Sequence, residues 1–235
     1  MDGCSGTVVD NVSHVLEGIR SAALRSGRRP ELIRLVAATK SVPADRIKEA
    51  IAAGVTILGE NRLQEALLKI EQLGHEPVAW HFIGRLQRRK VKAVVGRFDL
   101  IHSVDSLELA EEINRRAEQA GISQSVLLEI NIGGEDSKGG FPPHAVAGGC
   151  SRLGGLTHLA VKGLMAIPPP DPDLNHTRAY FRRLRELAQS LTPSGFPNIN
   201  MGELSMGMSA DYMVAVEEGA TFVRIGTAIF GARDA

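Results

Sequence analysis

Short apolar runs rich in Val, Ile and Leu recur along the chain, and between them the apolar positions fall every third or fourth residue. The first pattern is that of buried strands, the second that of amphipathic helices. The runs read as strands are Ile33 to Thr39, Thr56 to Leu58, Ala79 to Ile83, Leu100 to Ser103, Ser125 to Asn131, Leu159 to Met165, Glu203 to Met206 and Thr221 to Ile225. PADRIKEAIAAG opens on Pro43 and stops at Gly54, and SLELAEEINRRAEQAG opens on the cap-type Ser106 and stops at Gly121, so both carry helix start and stop signals. A further helix, roughly Val8 to Ser26, precedes the first strand, and HTRAYFRRLRELAQSL forms another before the seventh. This alternation predicts βα units around a parallel sheet. Eight such units in fewer than about 250 residues predict a single α/β domain over 1–235, a (β/α)8 TIM barrel with an extra N-terminal helix. An open doubly wound sheet is the alternative, but the turn after the first strand, TKSVP, is not a GxGxxG, and GxxxxGK[ST] is absent.

Composition narrows the class of partner. The 235 residues are 43% hydrophobic and 23% charged, enough for a sizeable core. Lys plus Arg and Asp plus Glu both number 27, so no net field would gather nucleic acid or an anionic membrane. Two cysteines, Cys4 and Cys150, lie far apart without a CxxC or a His at metal-ligand spacing, which predicts neither a disulfide framework nor a zinc site. No long apolar run and no leader-like start occur, and a cytoplasmic protein without membrane or nucleic-acid partners is expected.

In a barrel the chemistry gathers where the strands end. The expected endings are Lys40; Gly59, Glu60 and Asn61; His81 and Gly84; His102, Ser103 and Asp105; Asn131; Met165; SMGMS; and Arg224 with IGT. Ser209 is read as the start of the helix SADYMVAVEEG, with Asp211 in its first turn, and Gly226 and Thr227 offer backbone N–H groups beside it. Loops after strands seven and eight commonly hold phosphate in this fold. Lys40 raises the alternative of a solvated strand end or a nucleophile held neutral so that it condenses with a carbonyl. Alternation places Val36, Ala38 and Lys40 on one face. A phosphate site on one side of the mouth and a lysine on the opposite wall would suit pyridoxal 5'-phosphate held as an imine on Lys40, or a phosphorylated sugar. Arg224, facing inward with Phe222, fits equally a pyridine nitrogen or a carboxylate such as Glu203. His81, between Trp80 and Phe82, reads as a hydrogen-bonded wall residue rather than an acid or base, and His81 with His102 lacks a third metal ligand. GRLQRRKVKAVVGR reads as a solvated helix face because no aromatics interleave it, and Lys138 in GGEDSKGG is either a loop residue reaching over the mouth or surface.

LVAATK, GENRLQEAL, WHFIGRLQ, HSVDS, EINIGGEDSKGG, GLMAIP and LSMGMSADYMVAVEEGATFVRIGTAIFGAR together resemble the pyridoxal phosphate homeostasis protein family, from Leu35 to Arg233. The resemblance implies a barrel similar to the N-terminal domain of alanine racemase, with pyridoxal 5'-phosphate on Lys40 and with Asn61 and His81 lining the site. It further implies that Ser209 and the backbone at Gly226 and Thr227 hold the phosphate, while Arg224 faces the pyridine nitrogen. Family members often have Asn where this chain has Arg89, and a Ser–Lys pair where it has Thr39–Lys40. The function implied is a monomeric, non-catalytic carrier that buffers the cofactor, meets recipient apoenzymes transiently, and maintains vitamin B6 and amino-acid/keto-acid balance. The rival is a pyridoxal phosphate-dependent amino-acid racemase, which needs a base on each face of the substrate Cα. The chain has only two tyrosines, Tyr180 and Tyr212, and Tyr212 is expected to face the barrel wall, which favours the carrier.

Overall fold

Thr7 opens the first helix through a capping box: its hydroxyl accepts Asp10 N–H at 3.2 Å, and the Asp10 carboxylate accepts Thr7 N–H at 3.2 Å. The helix α1 (Val8–Arg25) then buries Val8, Val12, Val15, Ile19, Ala22 and Ala23, a stripe at helical spacing. The computed structural model describes residues 6–135, 138–191 and 195–231.

Eight parallel strands follow: β1 (Arg34–Ala38), β2 (Ile57–Glu60), β3 (Ala79–Phe82), β4 (Leu100–Val104), β5 (Gln124–Glu129), β6 (Leu159–Met165), β7 (Ile199–Ser205) and β8 (Phe222–Ile225). They close in chain order, with β8 returning to β1 in a register from Arg34 opposite Phe222 to Ala37 opposite Ile225. Between them run α2 (Ala44–Ala52), α3 (Leu63–Leu73), α4 (Val91–Val94), α5 (Leu107–Gln119), α6 (Pro143–Gly154), α7 (Leu174–Leu191) and α8 (Tyr212–Glu217), with α9 (Thr227–Phe230) after β8. The barrel and its N-terminal helix are those expected from the hydrophobic pattern.

The core divides as a barrel requires. Val36, Ile57, Leu100, Leu127, Met165 and Phe222 form a cluster inside the barrel, and a larger cluster fills the layer between strands and helices. Gly59 keeps the interior passable: a Cβ there would lie 2.8 Å from both Ile83 Cδ1 and Val36 Cγ1. β6 keeps its expected bounds and the other strands shift at their ends, of which β2 and β7 bear on the site. β2 runs on to Glu60, a carboxylate the chain can bury because Lys69 of α3 neutralises it. β7 begins at Ile199 rather than Glu203, its first residues pairing with β6 through Val161 opposite Ile199. Among the described residues no helix is long and apolar enough to cross a membrane.

Candidate functional site

The ladder between β1 and β2 extends one residue past β1, where Thr39 N–H donates to Gly59 O at 3.0 Å. Lys40 follows in a tight turn, and Ser41 takes φ 61°, the only non-glycine left-handed residue among those described. The Lys40 side chain is half-buried, and among the described residues no hydrogen bond or ion pair engages it. Next to it, after β2, Asn61 has a buried Oδ1 without a hydrogen-bond partner among the described residues. Its backbone is pressed against Gly84, where a Cβ would lie 2.3 Å from Asn61 O, and Ser103 Oγ donates to Gly84 O at 2.5 Å. The loops after β2 and β3 and the end of β4 are thereby packed on one another.

Arg224 on β8 points into the barrel and is 6% exposed. It donates from Nη1 to Ser205 Oγ at 2.5 Å and from Nη2 to Ala166 O at 3.1 Å. Glu203 is not its partner. That carboxylate pairs with Arg34, whose guanidinium stacks 3.8 Å above the Phe222 ring near the other end of the strands. Burial pulls the Arg224 guanidinium down to about 10, while Asp211 and Glu129 act upward without an ion-pair contact. The same burial pushes the Asp211 and Glu129 carboxyls up.

From Arg224 a hydrogen-bond chain descends the barrel. Ser205 Oγ lies 2.8 Å from His102 Nδ1, and His102 Nε2 lies 2.9 Å from His81 Nδ1. Arginine only donates, so Ser205 accepts from it, and with no other acceptor for its hydroxyl among the described residues Ser205 donates to His102 Nδ1. His102 then carries its proton on Nε2 and donates to His81 Nδ1, leaving the His81 proton on Nε2. Both rings stay neutral: burial and then Arg34 lower His81 to about 3, and burial followed by His81, Arg224 and Arg34 holds His102 well below the usual histidine range. The wall reading of His81 fits this chain, but its expected place at the mouth does not. His81 lines a cavity of about 380 Å³ at the N-terminal end of the barrel, with Arg34, Leu100, Ser125, Glu203 and Phe222.

On the other side of Lys40, Ser209 does not begin a helix. It lies in a turn, with α8 starting at Tyr212, and Asp211 accepts Met208 N–H at 2.6 Å. The Ser209 hydroxyl instead accepts Ala228 N–H at 3.2 Å, tying this turn to the start of α9, where first-turn amides have no intrahelical acceptor. Gly226 backs onto β1, its virtual Cβ 3.3 Å from Ala38 O and 3.4 Å from Ala38 Cβ. The phosphate-type turn and Lys40 therefore sit on neighbouring strands rather than on opposite walls, because barrel closure places β8 beside β1. Tyr212 is turned outward: a Cβ at Gly18 of α1 would fall 2.2 Å from its hydroxyl oxygen.

Sequence reasoning missed Lys69, which looks like an ordinary helix position. It placed Glu60 and Ser205, the latter in SMGMS, among the polar strand endings but not in the core, and all three are buried. Lys138 pairs with Glu135, and part of its loop, 136–137, lies outside the described residues, as do the last two residues of the long C-terminal stretch that carried the resemblance. The basic run after β3 stays largely on the surface, with Arg85 4.0 Å from Asp105. Among the described residues no group of three or more His, Cys, Asp and Glu is placed to hold a metal ion.

A closed barrel of eight parallel strands with alternating helices is the fold of the alanine racemase N-terminal class. The family model described as alanine racemase, N-terminal domain, matches residues 10–234. The chain belongs to this family and, within it, to the pyridoxal phosphate homeostasis proteins. It is 46% identical over 224 residues to the pyridoxal phosphate homeostasis protein of Aquifex aeolicus, covering 95% of this chain and 97% of that one. With its namesake from Escherichia coli K12 the identity is 40% over 232 residues, covering 97% of each chain. Among solved structures, PipY of Synechococcus elongatus with PLP bound superposes with a TM-score of 0.80 at 38% identity, covering 92% of this chain and all (100%) of that one. Alanine racemase of Clostridium difficile shares the fold at a TM-score of 0.73 and 18% identity, over 96% of this chain and 58% of its own.

Proposed function

We propose that this protein binds pyridoxal 5'-phosphate at the C-terminal mouth of the barrel and carries it in linkage to Lys40, without a catalytic cycle of its own. The observation that carries this reading is Arg224: a buried guanidinium held by neutral partners, one strand away from an unpaired lysine. Burying a charge without a contacting counter-ion costs the fold several kcal/mol, so its presence points to function rather than to stability. The residues fit the group. Asn61 has an unpartnered buried acceptor, and the Ser209 turn with the amides of Gly226 and Thr227 offers donors for a phosphate. His81 contributes from below, through His102 and Ser205, rather than by touching the cofactor.

When bound, the cofactor supplies an aldehyde for the lysine amine and an electron-withdrawing ring. Arg224 keeps its proton at accessible pH, so it donates to a ring nitrogen and leaves it unprotonated, which makes the ring a weak electron sink. Tyr212, packed against Gly18, is withheld from the mouth as a second base. Both points support carriage over racemisation, and the names of the curated relatives agree. Hand-over to recipient apoenzymes, a monomeric state and a cytoplasmic setting complete the proposal.

The test is a visible absorption spectrum of wild type and Lys40→Ala before and after borohydride reduction. A yellow band in wild type that vanishes on reduction and leaves a pyridoxyl adduct on Lys40 supports the proposal. A colourless wild type with added cofactor overturns it in favour of a barrel for phosphorylated metabolites.

A further inference from the structure

Behind Lys40 lies a buried charged cluster that neither the fold nor the cofactor contacts require. Lys69 of α3, 7% exposed, donates from Nζ to Thr39 O at 2.5 Å and to Glu60 Oε1 at 2.7 Å. Glu60 is 0% exposed and also accepts the Thr39 hydroxyl at 2.6 Å. One helical turn before Lys69, Glu65 stands 3.6 Å from its ammonium and accepts Ser41 N–H at 3.0 Å. The main chain is thus held on both sides of Lys40: Thr39 by Lys69 and Glu60, Ser41 by Glu65. Ser41 is the residue forced into the left-handed region, a conformation a serine keeps only when its surroundings impose it. The Ser41 amide in turn heads the causes that hold the Glu65 carboxyl below its ordinary range.

We infer that Lys69, Glu60 and Glu65 are positioning residues for Lys40, a clamp that fixes the turn so that its amine is presented to the mouth. The inference rests on Lys40 as the attachment lysine. Lys69 cannot take that role itself, since its ammonium is buried and committed to a carbonyl and a carboxylate. A buried ion pair is poor evidence of stabilisation, because apolar residues of the same volume often serve as well. What this pair gives the fold is direction: three polar side chains from β2 and α3 converge on the two residues flanking one lysine.

Three variants test the clamp. Glu65→Ala is at a partly exposed position and retains the fold. Glu60→Gln with Lys69→Met removes both buried charges together, so no lone charge is stranded, and Lys69→Arg restores two donors. Free protein is examined by amide hydrogen exchange over residues 39–42 and by its melting temperature. The rate at which added pyridoxal 5'-phosphate condenses with the Lys40 amine, releasing one water, is followed by absorbance. A misaligned nucleophile loses on the order of tenfold to a hundredfold in rate. Such slowing in Glu65→Ala and in the double variant, with faster exchange at Ser41, an unchanged melting temperature in Glu65→Ala and recovery in Lys69→Arg, supports the clamp. Folded variants that condense at the wild-type rate overturn it while leaving the cofactor reading intact. A wild type that forms no adduct overturns both, and an adduct on Lys69 overturns the clamp by exchanging the roles of the two lysines.

Discussion

Ser205 sits where two demands meet, since its oxygen accepts from Arg224 and donates to His102. Ser205→Ala leaves a buried guanidinium N–H and a buried imidazole nitrogen unsatisfied together, so the expected cost is about 2 kcal/mol or more, read from urea unfolding. The two histidines add a pH dependence. The unfolded chain binds a proton at each near 6.5, whereas the folded chain keeps His81 neutral down to about 3 and His102 neutral well below its ordinary value. Their contribution is therefore complete above pH 6.5 and lost as the pH falls toward 3, with a slope of up to about 1.4 kcal/mol per pH unit for each ring. In His81→Gln, unfolding free energies measured between pH 4 and 7 should show a slope lower by about that amount. Strand alternation alone made the inward direction of Arg224 legible, and a lone charge at a strand end pointed to Lys40. Alternation could not reveal the partners of Arg224, because Ser205 and Ala166 come from β7 and from the end of β6, and only barrel closure brings them to β8. His81 faces inward as expected but sits too low in the barrel, since depth depends on strand stagger, which a single sequence does not carry.

Among the elements, β2 shows most clearly how a site feature disguises a fold feature. Its last residues, Gly59 and Glu60, read as a loop because glycine and a carboxylate weaken a strand pattern. In the folded chain the glycine admits Val36 and Ile83 into the interior, and Lys69 makes the carboxylate compatible with burial. Gly59→Val should overpack this layer and destabilise by about 1–3 kcal/mol, measured as a drop in the urea midpoint with an unchanged slope. α6 went unread for a related reason, since PHAVAGGCSRLG carries two adjacent glycines that break helical periodicity. α1, by contrast, was legible to within a residue from its apolar periodicity. Thr7→Ala should cost about 1 kcal/mol, seen as a lower melting temperature, because the Asp10 amide loses its acceptor and the Asp10 carboxylate loses the Thr7 hydroxyl.

At the scale of the whole molecule, attachment as proposed asks less of the barrel than catalysis would. It would need one lysine, a phosphate cradle and a donor to the ring, and closure brings the candidate strand ends side by side. Racemisation also needs an acid or base opposite the lysine, on the far face of a substrate. Tyr212 is packed outward against α1, Tyr180 rides on α7, and the paired histidines lie below Arg224, His102 donating to His81 and His81 lining the cavity at the opposite end of the barrel. Purified protein loaded with pyridoxal 5'-phosphate and given L- or D-alanine should thus show no saturable interconversion by chiral chromatography. The same cofactor at a hundredfold excess over its dissociation constant should raise the unfolding free energy by about 2.7 kcal/mol through binding alone. Lys40→Ala should lose most of that gain while keeping its fold, because the lysine side chain has no other partner among the described residues. Stabilisation without turnover is the signature of a carrier, whereas interconversion that disappears in Lys40→Ala would place a second base at the mouth and make the protein an enzyme.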